Sequence, residues 1–284
     1  MTLPQAVREL HYRVDAPVLG HFPGHHKSTR GDSGFEFRGH APLLDVPDPR
    51  RLDLHASLRD PFGGWIVRVH SQRRAIPVVL VADLSASMRF AGQRRKLDVL
   101  ADFTDSLALS AWRTGDSFGF IGCDDKVRQD LLLLPTRMRG AGAALAARLR
   151  TLQLNGKSAD ALASAFRHLG RQRSLIFLVS DFHLPLPVVE GVLASLARHN
   201  VVPVVLWERL EFASMTRQGL LRAVDPETGR RTLVWWRPAL RQRWLAALQK
   251  HRGMLLQAFH AHRLRPLFIE NGFDADAVTR HFHA

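Results

Sequence analysis

A single cysteine, Cys123, leaves this 284-residue chain no internal disulfide, which points to a reducing compartment. No stretch approaches the roughly 20 apolar residues that span a bilayer. The longest apolar runs are strand-length and broken by Arg, Asp or His. The opening MTLPQAVREL has no apolar core of the signal-peptide kind. A soluble cytoplasmic protein with no membrane span is therefore expected. Catalytic signatures are also scarce. There is no P-loop of the form GxxxxGKS or GxxxxGKT, so no nucleotide hydrolysis by the chain alone is expected. No GxSxG elbow presents a serine nucleophile. The fifteen histidines include no HExxH and have no neighbouring cysteine. His21, His25 and His26 sit in a loop-like stretch. His260 and His262 are two apart on a predicted helix, where they do not share a face. Both groups read as solvated positions rather than zinc ligands. Cys123, at a strand end, reads as core rather than nucleophile. The chain is not expected to be an enzyme.

Lysine is scarce too. Lys27, Lys96, Lys126, Lys157 and Lys250 stand among 40 basic residues, and the formal net charge is +14. Such a surplus favours acidic partners, but the arginines are spread along the whole chain. A diffuse solvated surface is expected, and nucleic acid is not expected as a partner.

What the sequence does carry is concentrated in residues 76–87, IPVVLVADLSAS. The apolar run Ile76–Ala82 fits a buried central strand of a parallel sheet. It ends in Asp83, Ser85 and Ser87, and such sheets bind ligands just past the carboxyl ends of their strands. One carboxylate and two hydroxyls suit a hard cation such as Mg²⁺. Two further positions could join them. Asp181 ends a second apolar strand, LIFLVSD, and Ser158 in NGKSAD offers a hydroxyl in a glycine-containing loop. The same residues have a purely structural role open to them, with the serines capping the following helix and Asp83 accepting turn bonds.

Around this motif the chain alternates strands and helices. WIVRVH is a strand candidate. KLDVLADFTDSLALSAWRTG repeats Leu97, Leu100, Phe103, Leu107 and Trp112 at helical spacing. Residues 117–125 and 127–135 read as strands, and 140–150 and 158–170 as helices. A strand over 174–182, a helix over 187–199 and a strand over 201–208 follow. Such βαβ units imply a mostly parallel sheet with helices on both faces. Asp98, Asp102 and Asp105 read as a solvated helix face, and Asp124 and Asp125 as turn residues. Beyond 208, AVDPETGRRTLVWW reads as a hairpin with its turn at 225–229. A basic amphipathic helix over 238–263, a strand in LRPLFIENG and a short helix in ADAVTRHF complete the chain. Its helix 238–263 is read as packing on the core with an exposed basic face. Three segments are expected: a β-containing region 1–64, an α/β domain 65–208 and a hairpin–helix extension 209–284.

DLSAS after an apolar strand, the hydroxyl loop near Ser158 and the strand ending in Asp181 resemble the metal-ion-dependent adhesion site of von Willebrand factor A domains. The resemblance implies that Ser85, Ser87 and Ser158 bind Mg²⁺ (or Mn²⁺) directly and that Asp83 and Asp181 act mainly through coordinated water. The pattern Gly24-x-x-x-Ser28-x-x-Gly31-x-x-Gly34-x-Glu36-Phe37, the segment DPRRLDLHASLR at 48–59 and the hairpin–helix tail resemble domain-of-unknown-function family 58, often encoded beside MoxR-type AAA+ ATPases. The chain departs from that family's pattern at Leu43, Val46, Pro47 and Leu54. The resemblance implies a non-enzymatic, metal-dependent protein-binding module. It would work with such an ATPase in assembly or maturation of a target complex, with an Asp or Glu of the target completing the metal's coordination. Two other classes remain: a basic nucleic-acid-associated protein, whose affinity would fall steeply with salt, and a hydrolase activating a metal-bound water.

Overall fold

The computed structural model describes residues 8–13, 23–27, 36–71, 73–156, 158–207, 219–224, 229–270 and 272–283. Within that range the chain forms two compact units. One is Val14–Ile76; the other combines Met1–Arg13 with Pro77–Ala284.

The smaller unit holds two antiparallel pairs. β1 (Pro23–Lys27) pairs with β4 (Arg73–Arg74), and β2 (Glu36–Pro42) pairs with β3 (Ile66–Ser71). A short helix, α1 (Leu54–Leu58), begins after Asp53, whose side chain accepts the Ala56 N–H at 3.1 Å. The same carboxylate accepts Arg68 Nε at 2.7 Å and lies 3.0 Å from His40 Nε2. The hydrogen bond from Arg68, then those from Ala56 and His40, hold the Asp53 carboxyl well below its ordinary range. Asp53 thus ties α1 to both strands of the β2–β3 pair.

The larger unit is built on one six-stranded sheet ordered β12-β9-β8-β5-β6-β7. Its strands are β5 (Pro77–Asp83), β6 (Ser117–Cys123), β7 (Leu133–Thr136), β8 (Leu175–Ser180), β9 (Asn200–Leu206) and β12 (Leu267–Ile269). Only the β6–β7 pairing is antiparallel. The expected mostly parallel α/β architecture is therefore present. β5 and β8 are buried along nearly their whole length. That is why they read as unbroken apolar runs rather than alternating ones.

Helices cover both faces. α2 (Lys96–Arg113) buries Leu97, Leu100, Phe103 and Leu107 on one side, and α3 (Ala141–Thr151) packs on α2. On the other side lie a 3₁₀ run, Asp160–His168, and α4 (Leu186–Ser195). The carboxyl-terminal half of α5 (Pro238–Ala261) joins them through Leu255 and Phe259. The hairpin β10 (Gly219–Val224) and β11 (Arg231–Trp236) forms its own two-stranded sheet. Its predicted turn lies largely outside the described residues. α6 (Ala275–His283) closes the chain.

Several expectations are refined. The strand Ile66–Ser71 belongs to the smaller unit, because it pairs with Glu36–Pro42 and not with the main sheet. The strand expected in LRPLFIENG is β12, and it joins the main sheet in parallel beside β9 through Leu267↔Val204 and Ile269↔Leu206. The helix expected at 158–170 is a 3₁₀ run. Asp98 and Asp102 are also not a solvated face. Both are buried; Arg95 pairs with Asp98, while Arg94 and Arg150 both reach Asp102. Among the described residues no helix is long and apolar enough to cross a membrane.

Candidate metal centre

The strand order reverses between β5 and β8, the crevice where open α/β sheets keep their ligands. β5 ends at Asp83, and Asp181 directly follows β8. Both carboxylates are buried. Asp83 is stitched to its neighbour strand by Ser180, whose hydroxyl donates to Oδ2 at 2.6 Å. On the other oxygen it accepts the Ser85 N–H at 2.8 Å. This is the turn bond that the structural role foresaw. The capping role is absent: the Ser85 side chain makes no cap bond, and its hydroxyl lies 3.0 Å from that of Ser87.

Asp181 is fixed as tightly. Its Oδ2 accepts Lys96 Nζ at 2.9 Å, and its Oδ1 accepts the His183 N–H at 3.2 Å. Its carbonyl accepts Trp207 Nε1 at 2.8 Å. The next residue, Phe182, has φ +52°, a left-handed conformation that bulky residues rarely adopt. The Phe182 N–H donates to Ser180 Oγ at 2.9 Å, and His251 Nε2 lies 2.9 Å from its carbonyl. Strain held this firmly beside a buried carboxylate is typical of functional sites.

The loop carrying Ser158 reaches the same edge. Gly156 forms a parallel bridge with Ser85, and its carbonyl accepts the Ala86 N–H at 3.1 Å. A Cβ at Gly156 would stand 2.4 Å from that of Asp124, so only glycine lets the loop approach so closely. The bonds of Ser158 itself run to Asp125, which accepts its N–H at 2.7 Å, and to the Asp160 N–H, 3.4 Å from its hydroxyl. Asp125 thus anchors this loop, while Asp124 closes its own turn by accepting the Lys126 N–H at 3.1 Å and pairs with Arg128.

Of the five residues proposed from sequence, the structure gathers Asp83, Ser85, Ser87 and Asp181 at one edge, with Ser158 on an adjoining loop. The residue that sequence reasoning missed is Lys96, the first residue of α2.

The electrostatics follow from this packing. Burial, then the negative charge of Asp181, push the Asp83 carboxyl up to about 6. Burial alone would raise Asp181 also. The Lys96 ammonium, with His183 and the bonds both donate, outweighs that and holds it low. Among the described residues no three of His, Cys, Asp or Glu stand together in a metal-holding group. A bound ion would therefore rest on two carboxylates, hydroxyls and water. That hard oxygen set fits Mg²⁺ or Mn²⁺ and not zinc.

Cys123 pairs in register with Asp83 and is fully buried. Burial, then the charges of Asp83 and Asp124, push its thiol up to about 12. Native protein should therefore not react with a disulfide reagent near about pH 8, whereas protein in concentrated urea should react fully. Rapid native labelling would contradict this placement. The sign of the linked stability is definite. The unfolded thiol ionises near 9.0 and the folded one near 12, so this contribution is intact below 9 and declines above it.

With this geometry in place, the chain can be set beside known proteins. The family described as Protein of unknown function DUF58 matches residues 48–254. A protein of Paracoccus denitrificans, described as an uncharacterized protein in the moxR 3' region, is 34% identical over 101 residues. The match covers 36% of this chain and 96% of that protein. Among solved structures, the conserved hypothetical protein BatB from Bacteroides thetaiotaomicron is 14% identical. It covers 74% of this chain and 98% of its own, with a TM-score of 0.47. The SpRpn10 VWA domain is 12% identical and covers 73% of this chain and 93% of its own, with a TM-score of 0.38.

Proposed function

The chain belongs to the DUF58 family, and from that premise we propose that it is a von Willebrand factor A-like protein-binding module working with a MoxR-type AAA+ ATPase. The relative of Paracoccus denitrificans, named for its place in the moxR 3' region, supports the choice of partner. In this reading the ATPase supplies energy, and the module recognises a complex undergoing assembly or maturation. The observation that carries it is the pair of buried carboxylates, Asp83 and Asp181, at the switch point of the sheet, with the Ser85 and Ser87 hydroxyls beside them.

Asp83, Ser85, Ser87 and Asp181, with Ser158 on the adjoining loop, would hold the divalent ion. When bound, that ion supplies a Lewis-acidic position that an incoming Asp or Glu can fill. The chain's own part is to pre-organise the oxygens. Ser180 and the Ser85 N–H orient Asp83, and Lys96 and the His183 N–H orient Asp181.

The test is the affinity of the native protein for its candidate partners, the purified ATPase and the target complex, in Mg²⁺ and in EDTA. EDTA is expected to weaken binding at least about tenfold, as loss of one charged interfacial contact does. Equal affinity would contradict metal dependence. Measurable affinity for nucleic acid that falls steeply with salt and is indifferent to EDTA would favour the nucleic-acid alternative.

A further inference from the structure

The metal reading leaves one buried charge unexplained. Lys96 and Asp181 have side chains only 3% and 1% exposed, and Nζ stands 2.9 Å from Oδ2. Lys96 is the first residue of α2. At that helix end the peptide dipoles favour an acid and oppose a cation. Burial of the ammonium adds a second penalty. The Phe90 ring lies 5.9 Å from the ammonium, and the Lys96 N–H donates to the Phe90 carbonyl at 3.2 Å. The residue is therefore packed into place rather than stranded at the surface. In a chain whose cations are nearly all arginine, this position holds a compact point charge in place of a planar fork.

We propose that Lys96 is a tethered counter-cation of this site, pairing with the Asp181 carboxylate that would help hold a divalent ion and keeping the site's metal affinity down. The inference rests on the metal reading above. Its basis is a charge count. Two buried carboxylates and one buried ammonium leave the site one negative charge. Adding a divalent ion while Lys96 stays would leave a buried positive charge, which low polarity penalises. Loading therefore needs either departure of the ammonium from Asp181 or arrival of a further carboxylate. The lysine thus makes an acidic partner a condition of tight metal binding.

The test is Mn²⁺ binding, measured by calorimetry, for the native protein, Lys96→Met, and Lys96→Met combined with Asp83→Asn. Lys96→Met should bind at least about tenfold tighter than native, and adding Asp83→Asn should abolish the gain. Equal binding by native and Lys96→Met would overturn the role of Lys96 and leave the metal reading standing. No binding by either would overturn both. If Lys96→Met does not fold, the native protein labelled with ¹⁵N-lysine carries only five candidate ammonium signals. The buried one should move on Mg²⁺ loading, and an unmoved signal at saturation would overturn the proposal.

Discussion

Replacing Asp181 with alanine is expected to destabilise the fold by about 3–5 kcal/mol, the usual result of leaving a buried partner charge uncompensated. The charge left behind is Lys96, 3% exposed and held in the first turn of α2. Lys96→Ala should be costly for the converse reason, since Asp181 would then share the site with Asp83 and no nearby lysine. Removing both, as Lys96→Met with Asp181→Leu, should cost much less than the sum of the single changes, because apolar pairs of similar volume replace buried ion pairs well. Urea unfolding of the three variants measures this. Additive costs would show that the two groups do not act as a pair.

A chain cut after residue 208, where sequence reasoning places the end of the α/β domain, is expected not to fold cooperatively. The cut removes β12, which hydrogen-bonds to β9. It also removes half of an aromatic cluster. Phe103 on α2 meets Phe177 on β8 at 5.3 Å and Phe273 at 5.4 Å, and Phe177 meets Phe282 on α6 at 6.0 Å. On the opposite face, Leu255 and Phe259 of α5 would be lost from the core. Emptying one such aromatic position costs about 3–5 kcal/mol, and the cut empties several. Limited proteolysis and thermal unfolding of residues 1–208 test this. A melting transition like that of the whole chain would show the carboxyl-terminal extension to be dispensable for the fold.

The sequence shows local order better than long-range pairing. Asp83 and Asp181 stand out because each closes an apolar run, and burial on both faces of a strand leaves that mark without reference to a partner. Ser85 and Ser87 follow at fixed spacing, so four site residues can be named from two short segments. Lys96 cannot, because its partner lies 85 positions away. Its one local signal is a lysine opening a helix, where an acid would be preferred. Asp98 and Asp102 are misread for a similar reason. Helical spacing places them on one side of α2, but the charge reaching Asp102 from α3 belongs to Arg150, 48 residues on. Ile66–Ser71 is correctly a strand and wrongly assigned, since its alternation of buried Val67 and exposed Arg68 fits any half-covered sheet. Only the register with Glu36–Pro42 decides which one.

The central claim is that the edge formed by β5 and β8 is where this module meets its partner. The measurement closest to it is the affinity of a cognate MoxR-type ATPase for the native protein and for Asp83→Ala, in magnesium, with the variant first shown to be folded by circular dichroism. A loss of at least about tenfold is predicted, in line with removal of a buried charged group that orders a binding site. A folded Asp83→Ala protein that binds as tightly as the native one would contradict the claim.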